Sequence, residues 1–232
     1  MTDNANDKVS CICCKFMSPI FNNLSKQELN YLREISHEVV FQAGEIIFKQ
    51  GTPLTHVICI SSGATKLYVE LSGKKKIILR LLLPTDIAGV SGINSDHKHH
   101  FSLSAIETTN TCFIEVSAFK KIIRENPTFA YGIIGYINNS HNRLYSKLKN
   151  FTQKNTNGKV ADTLLYLANE VYNNDTFVTL LSRQDMADMS ITTRESTIRI
   201  LKEFKDQYII DFSEKHFEIL QKELLRRISQ FG

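Results

Sequence analysis

The sequence predicts an α+β protein whose first half is made of antiparallel strands and whose second half is mainly helical. Two observations predict this arrangement. Residues 39–116 consist of short runs of β-forming residues separated by turn residues. This pattern is typical of an antiparallel sandwich or barrel. From residue 117 onward, apolar residues recur at intervals of three and four, which is the period of amphipathic helices.

The first half begins with a short amphipathic helix and continues as a series of strand-like runs. Leu29, Leu32 and Ile35 share one face of that helix, which is predicted over Lys26–Ile35. Glycines at the following turns supply positive φ without steric cost. The predicted strands are 39–41, 45–49, 57–60, 64–71, 75–83, 101–107 and 112–116.

Two short helices joined by a tight turn are predicted within residues 180–205. Ser182 precedes the first helix, and Asp185 follows it at the spacing of a capping box. The second helix has two candidate caps, Thr192 and Thr193. The pattern therefore predicts two capped helices in close succession.

The second of these helices has an apolar face and a basic face. Ile198, Leu201 and Phe204 recur at helical spacing and are predicted to face the protein interior. The polar and basic residues between them are left for the outer face. A helix-turn-helix with such a face can enter the major groove of DNA, although an ordinary helical hairpin has the same periodicity.

The segment TTRESTIRILKEF, residues 192–204, resembles the recognition helix of the CRP/FNR family of bacterial transcription regulators. The resemblance implies that Arg194, Glu195 and Arg199 reach base edges, because arginine pairs bidentately with guanine and glutamate accepts from cytosine. The turn departs from the family pattern, since Ser190–Ile191 stands where a glycine is common. The residues expected at phosphates are Thr192, Thr193, Ser196 and Lys202.

The segment FQAGEIIFKQGTPLTHVICISSGATKLY, residues 41–68, resembles the sensor domain of the same family. The resemblance implies an antiparallel, jelly-roll-like β-roll sensor domain, a long dimerisation helix and a C-terminal winged helix-turn-helix domain. The predicted bounds are 1–20 for a cysteine-containing segment, 21–126 for the β-roll, 127–152 for the dimerisation helix and 153–232 for the DNA-binding domain.

The predicted dimerisation helix carries apolar residues at alternating intervals of three and four, as in a heptad seam. A single helix packed on its own sheet would show the same pattern. The resemblance favours a homodimer, whose two-fold symmetry would present two recognition helices one DNA turn apart. The predicted interface residues are Ile134, Ile137, His141, Leu144, Leu148 and Phe151.

The sensor segment lacks the residues that hold a cyclic nucleotide phosphate in members of the family that bind one. Val90 stands in place of the glutamate, and Leu103 stands in place of the arginine. Without that cation the phosphate has no charge partner, so cAMP is not expected to bind.

The cysteines admit several interpretations. Cys112, with Cys11, Cys13 and Cys14, resembles the ligand set of a [4Fe–4S] cluster in the oxygen-sensing FNR branch. The spacing departs from that branch, because Cys13 and Cys14 are adjacent. A Cys11–Cys14 redox pair, a zinc site, or exposed thiols without a ligand are the alternatives, with Cys112 and Cys59 as core residues. The histidine-rich loop, residues 96–100, has two interpretations. Its imidazoles could bind zinc, or it could be an ordinary solvated loop.

The chain shows no glycine-rich loop that could bind phosphate, no nucleophile elbow of a hydrolase and no metalloprotease motif, so an enzyme is not expected.

The expected partners are double-stranded DNA, a second copy of the chain and, for an activator, RNA polymerase. No apolar run is long enough to span a bilayer, which favours a cytoplasmic protein. The net charge of +4 is too small to indicate nucleic acid by itself. The alternative function is a β-roll that binds a small ligand or partner protein, with the C-terminal helices serving assembly.

Overall fold

The computed structural model describes residues 18–232, apart from the side chain of Lys74. It confirms the predicted fold class of an antiparallel β domain, a long helix and C-terminal helix-turn-helix elements. The helices are α1 (Lys26–Ile35), α2 (Val116–Glu125), α3 (Pro127–Gln153), α4 (Thr156–Tyr166), α5 (Arg183–Ser190), α6 (Arg194–Asp206) and α7 (Lys222–Phe231).

The described residues also form eleven strands, together with the 3₁₀ segments Pro19–Asn23, Ser72–Lys74 and Val90–Gly92 and the π-helical segment Leu167–Val171. The strands are β1 (His37–Phe41), β2 (Ile46–Phe48), β3 (His56–Ser62), β4 (Thr65–Glu70), β5 (Lys76–Leu82), β6 (Ile87–Ala88), β7 (Ser102–Ala105), β8 (Thr109–Glu115), β9 (Thr176–Val178), β10 (Ile210–Ser213) and β11 (His216–Ile219). All seven strands predicted in the first half are present. The two-residue β6 and the three-residue β9 are not among the predictions.

The β-roll is formed by two four-stranded sheets with the orders β1-β8-β3-β6 and β2-β7-β4-β5. Strand β8 pairs antiparallel with both β1 and β3. Val57 lies opposite Ile114 and Cys59 opposite Cys112, and all four are buried in one apolar cluster. Helix α2 adds Phe119 to that cluster.

Helix α3 begins at Pro127, a residue preorganised for the first turn of a helix. Phe129 and Ile133 are buried in the same apolar cluster. The Tyr136 hydroxyl accepts a hydrogen bond from the Ile87 amide at 3.0 Å and donates one to the Ile87 carbonyl at 2.7 Å. The first half of α3 is thereby fixed to the β-roll.

Residue contacts divide the chain into two compact units. Among the described residues, one unit holds 18–67 together with Leu82–His141, and the other holds Tyr68–Leu81 together with Asn142–Gly232. In the second unit α4 packs against α5, α6 and α7. The three strands β10, β11 and β9 form the wing sheet in that order.

Candidate nucleic-acid interface

The helix-turn-helix begins with a complete capping box. The Ser182 hydroxyl accepts the Asp185 amide at 3.0 Å, and the Asp185 carboxylate accepts the Ser182 amide at 3.0 Å. These bonds satisfy backbone donors that the first turn of a helix leaves unpaired. The predicted start of α5 is confirmed.

Helix α6 is capped by Thr193 and not by Thr192. The Thr193 hydroxyl accepts the Ser196 amide at 3.1 Å and donates to the Ser196 hydroxyl at 3.0 Å. Arg194 and Glu195 are consequently the first two helical residues. Thr192 is half-buried, and its amide donates to the Ala187 carbonyl at 3.0 Å.

The exposed face of α6 is polar with one apolar residue in it. The buried residues are Thr197, Ile200, Leu201 and Phe204. Ile198 is 42% exposed, so its predicted place on the inner face is wrong. It follows Thr197 by about 100° around the helix, which turns its side chain out of the buried face. The exposed residues of α6 are Arg194, Glu195, Ile198, Arg199, Lys202, Lys205 and Asp206.

The basic residues of α6 have different partners. Arg199 forms an exposed ion pair with Glu203 on the next turn of the helix. Lys205 pairs with Asp211 at 2.6 Å and donates to the Phe212 carbonyl at 2.8 Å, and its hydrogen bond to Asp211 is the main cause that holds the pKa of that carboxyl below its usual value. Lys205 therefore links α6 to strand β10 of the wing.

The wing is fastened to the first residue of α5. The Arg183 guanidinium donates to the Glu214 carbonyl at 2.7 Å. Its central carbon lies 4.8 Å from the centre of the Phe217 ring and 5.2 Å from that of Phe212, distances at which a cation is attracted to an aromatic face. The tip of the hairpin, around Lys215, is exposed.

The turn between α5 and α6 contains a strained residue. Ile191 has φ 52° and ψ 51°, the left-handed conformation that a β-branched residue adopts only at a cost. This is the position where the family resemblance leads one to expect glycine. The helix-turn-helix geometry is therefore reached without glycine.

Helix α3 exposes an apolar stripe with heptad spacing. Tyr131 is 79% exposed, Ile134 54%, Tyr145 66% and Leu148 60%. Tyr131 and Tyr145 are missing from the predicted interface, although each lies three residues before a predicted member. His141 is also exposed on this stripe.

The other predicted interface residues lie beside the stripe. Ile137 is half-buried against the core of its own unit. Leu144 is half-buried, and Phe151 is 40% exposed. The Lys159 ammonium lies 4.6 Å from the centre of the Phe151 ring.

The positions that would face a cyclic nucleotide phosphate are apolar and buried. Val90 is 5% exposed and Leu103 is fully buried, each within an apolar cluster of the β-roll. Neither side chain can neutralise an anion.

Three of the four predicted cluster ligands, Cys11, Cys13 and Cys14, lie outside the described residues. Cys112 is fully buried and disulfide-bonded. Burial raises the pKa of the Cys59 thiol to about 12, so this buried cysteine is an unreactive core residue. The cluster therefore stays a prediction.

The histidine-rich loop has the contacts of a structural loop. The His99 ring stacks on Phe48 with 3.8 Å between ring centres, and burial, with a smaller effect of His100, lowers the pKa of His99 to about 4. Between residues 18 and 232, no group of three or more His, Cys, Asp or Glu side chains is arranged to hold a metal ion. No helix in the same residues is long and apolar enough to cross a membrane.

Comparison with known proteins agrees with this architecture. Residues 38–126 match the cyclic nucleotide-binding domain family, and residues 158–228 match the Crp-like helix-turn-helix domain family. Electron transport regulator A of Shewanella oneidensis is 26% identical over 202 residues, which cover 85% of this chain and 80% of that protein. The nitrogen fixation regulation protein FixK of Bradyrhizobium diazoefficiens is 26% identical over 195 residues, which cover 81% of this chain and 79% of that protein. The structure of FixK2 from Bradyrhizobium japonicum has a TM-score of 0.78 at 20% identity and covers 85% of this chain and 99% of that one.

A β-roll followed by a winged helix-turn-helix with an exposed basic helix defines a class of DNA-binding transcription regulators. Both matched domains and the regulatory relatives point to the same class. The chain belongs to the CRP/FNR family of transcription regulators, and its relatives are regulators, not enzymes. The predicted family and the predicted DNA-binding function are confirmed.

Proposed function

We propose that the protein is a homodimeric regulator that reads two half-sites with the exposed face of α6. The observation that carries this proposal is the contiguous face of Arg194, Glu195, Arg199 and Lys202 at the start of a capped helix. Two copies would pair through the stripe on α3, and the two-fold axis would set two α6 helices on successive turns of the major groove.

Three side chains on this face are proposed to read bases. Arg194 and Arg199 suit guanine, and Glu195 suits the amino group of cytosine. Arg199 would exchange its partner Glu203 for a base edge. Ile198, beside them, adds a contact that suits the methyl group of thymine.

The remaining polar residues are proposed to hold the phosphate backbone. Lys202 lies on the same exposed face, one turn further along the helix than Arg199. Thr192, Thr193 and Ser196 lie at the N-terminus of α6, where backbone amides and the helix dipole favour an anion. These contacts would fix register and supply salt-dependent affinity.

Substitution of Arg194 by alanine tests the proposal. We expect Arg194→Ala to reduce affinity for the preferred duplex by about 10- to 100-fold, since a good bidentate pair discriminates by about 1–3 kcal/mol. Arg226→Ala is the matched control, because Arg226 is an exposed arginine of α7 that pairs with Glu223. Equal affinity for wild type and Arg194→Ala would contradict the DNA site and favour the assembly-only alternative.

The signal is proposed to act in the β-roll and to shift the protein between two dimer arrangements. Cyclic AMP is not proposed as the signal, because Val90 and Leu103 fill the phosphate-binding positions. Titration calorimetry with cAMP should show no heat of specific binding.

If the protein activates promoters, RNA polymerase is a further partner besides DNA and the second copy of the chain.

Purification without air distinguishes the two kinds of signal that the cysteines allow. A brown protein with about four irons per chain, bleached by air, would make Cys11, Cys13, Cys14 and Cys112 cluster ligands. A colourless protein without iron would exclude the cluster and leave an organic effector of the β-roll.

A further inference from the structure

A lysine of the long helix reaches the turn of the helix-turn-helix. The Lys147 ammonium, on α3, donates a hydrogen bond to the Met189 carbonyl at 3.0 Å. Met189 is the next-to-last residue of α5, so its carbonyl is among those that a helix end leaves without an intrahelical partner. A cation at this end also complements the helix dipole.

The turn that follows Met189 is held by neighbouring helices. The Ser190 hydroxyl is buried, lies 2.9 Å from the Thr163 hydroxyl of α4 and donates to the Met186 carbonyl at 2.8 Å. Ile191, the next residue, has the unfavourable left-handed conformation. Contacts from α3 and α4 therefore stabilise a turn whose own backbone is strained.

The same turn determines where the recognition helix begins. Only Thr192 and Thr193 separate Ile191 from Arg194, the first residue of α6. A change in the backbone angles of the turn would rotate the start of α6 and move Arg194 and Glu195 with it.

We propose that Lys147 is a positioning residue for DNA recognition. By holding the Met189 carbonyl it fixes the turn, and the turn fixes the direction in which the base-reading face of α6 points. The inference rests on the proposed function of α6 and adds to it a residue from the dimerisation helix that acts through the turn.

Lys147 lines a cavity of about 430 Å³, and several other charged side chains line the same cavity. They are Arg143 on α3 itself, Lys159 and Asp162 of α4, Glu170 in the π-helical segment Leu167–Val171 that continues α4, and Arg80 of β5. Burial lowers the pKa of Lys147 to about 8, and the Asp162 carboxylate opposes that shift.

Deprotonation of Lys147 should change DNA affinity and the free energy of unfolding in opposite directions. A charged donor makes a hydrogen bond roughly twice as strong as a neutral one, so DNA affinity should fall as pH rises through about 8. The folded pKa is below that of an unfolded lysine, about 10.4. Between these values the unfolded chain binds more protons, so the free energy of unfolding should rise with pH. The titration of Lys147 by itself therefore stabilises the fold over this range and does not cause unfolding.

The test measures DNA affinity of the full chain by fluorescence anisotropy from about pH 7 to about pH 9.5 at constant salt. The probe is a duplex that the wild-type protein selects from a random library. Wild type should lose about threefold in affinity over this range. Lys147→Met should bind about tenfold more weakly at pH 7 and show no further loss. Lys147→Arg, which stays charged, should keep the affinity that the wild type has at pH 7 over the whole range.

Lys159→Met is the matched control, because Lys159 lines the same cavity and lies against Phe151. It should keep the wild-type pH profile. Wild-type affinity in Lys147→Met, or an unchanged pH loss in that variant, would overturn the proposal. If Lys147→Met fails to fold by circular dichroism, the profile of Lys147→Arg decides, and a wild-type loss in it overturns the proposal.

Arg194→Ala separates this inference from the proposed function on which it rests. If Arg194→Ala binds like wild type, the DNA site on α6 is wrong. If Arg194→Ala loses binding while Lys147→Met keeps it, the DNA site stands and the positioning role of Lys147 is wrong.

Discussion

Helices α3 and α6 both leave a broad face exposed, but the two faces have opposite chemistry. The face of α3 carries Tyr131, Ile134 and Leu148, whereas that of α6 carries Arg194 and Lys202. Apolar side chains gain free energy when another apolar face removes them from water. Cations gain little from such a face and more from phosphates or base edges. We therefore propose that the exposed face of α3 binds a protein partner and that the exposed face of α6 binds DNA.

An aspartate on the apolar face of α3 should have the largest effect. Leu148→Asp should weaken the homodimer by about 100-fold or more, because a two-fold interface contains the substitution twice and each buried leucine contributes about 1.5–3 kcal/mol. Sedimentation equilibrium measures the dimer dissociation constant.

The control for this variant is Asn139→Asp, which adds the same charge at an exposed position away from the stripe. It should leave the dimer constant within about twofold of wild type. If both variants dimerise equally well, α3 is not the interface.

Removal of one base-reading arginine should have the next largest effect, and only at one base pair. Arg199→Ala should relax the preference at that position by about 10-fold, since it removes one bidentate contact. Competition between duplexes that differ at single positions measures this change. A uniform loss over all duplexes would instead make Arg199 a phosphate contact.

Lys202→Ala should have a smaller effect that is independent of sequence. It removes one phosphate contact, so the slope of log affinity against log salt should become shallower by about 0.9. Binding measured at several salt concentrations gives the slope. An unchanged slope would show that Lys202 does not contact DNA.

The smallest effect concerns the strained turn that presents α6. Ile191→Gly and Ile191→Ala both remove the half-buried side chain, but only glycine relieves the left-handed conformation. Ile191→Gly should therefore have a free energy of unfolding about 1 kcal/mol greater than Ile191→Ala. Chemical denaturation followed by circular dichroism measures the difference. Equal stability of the two variants would mean that Ile191 is not strained.

Features that depend on neighbours in sequence are predicted correctly. The capping box of Ser182 and Asp185 needs only residues three positions apart, and the strand pattern of the β-roll needs only alternation and turns. The choice between Thr192 and Thr193 depends on backbone angles at the cap, which periodicity does not contain.

Features that depend on distant residues are predicted less well. Ile198 and Ile137 have the same apolar character, yet one is exposed on α6 and the other packs against the core of the β-roll. Which side of a helix is buried depends on the elements that pack around it. The Lys147 contact with Met189 joins residues 42 positions apart, and no local pattern predicts it.

The most direct test of the whole account is selection of duplexes by the wild-type protein from a random-sequence library. If α3 forms the dimer and α6 reads bases, the selected duplexes should contain two inverted half-sites centred about 10 base pairs apart or at a multiple of that spacing. The guanine and cytosine preferences in each half-site should disappear in Arg194→Ala and Arg199→Ala. A single unpaired site would contradict the dimer, and absence of any enriched sequence would contradict base recognition by α6.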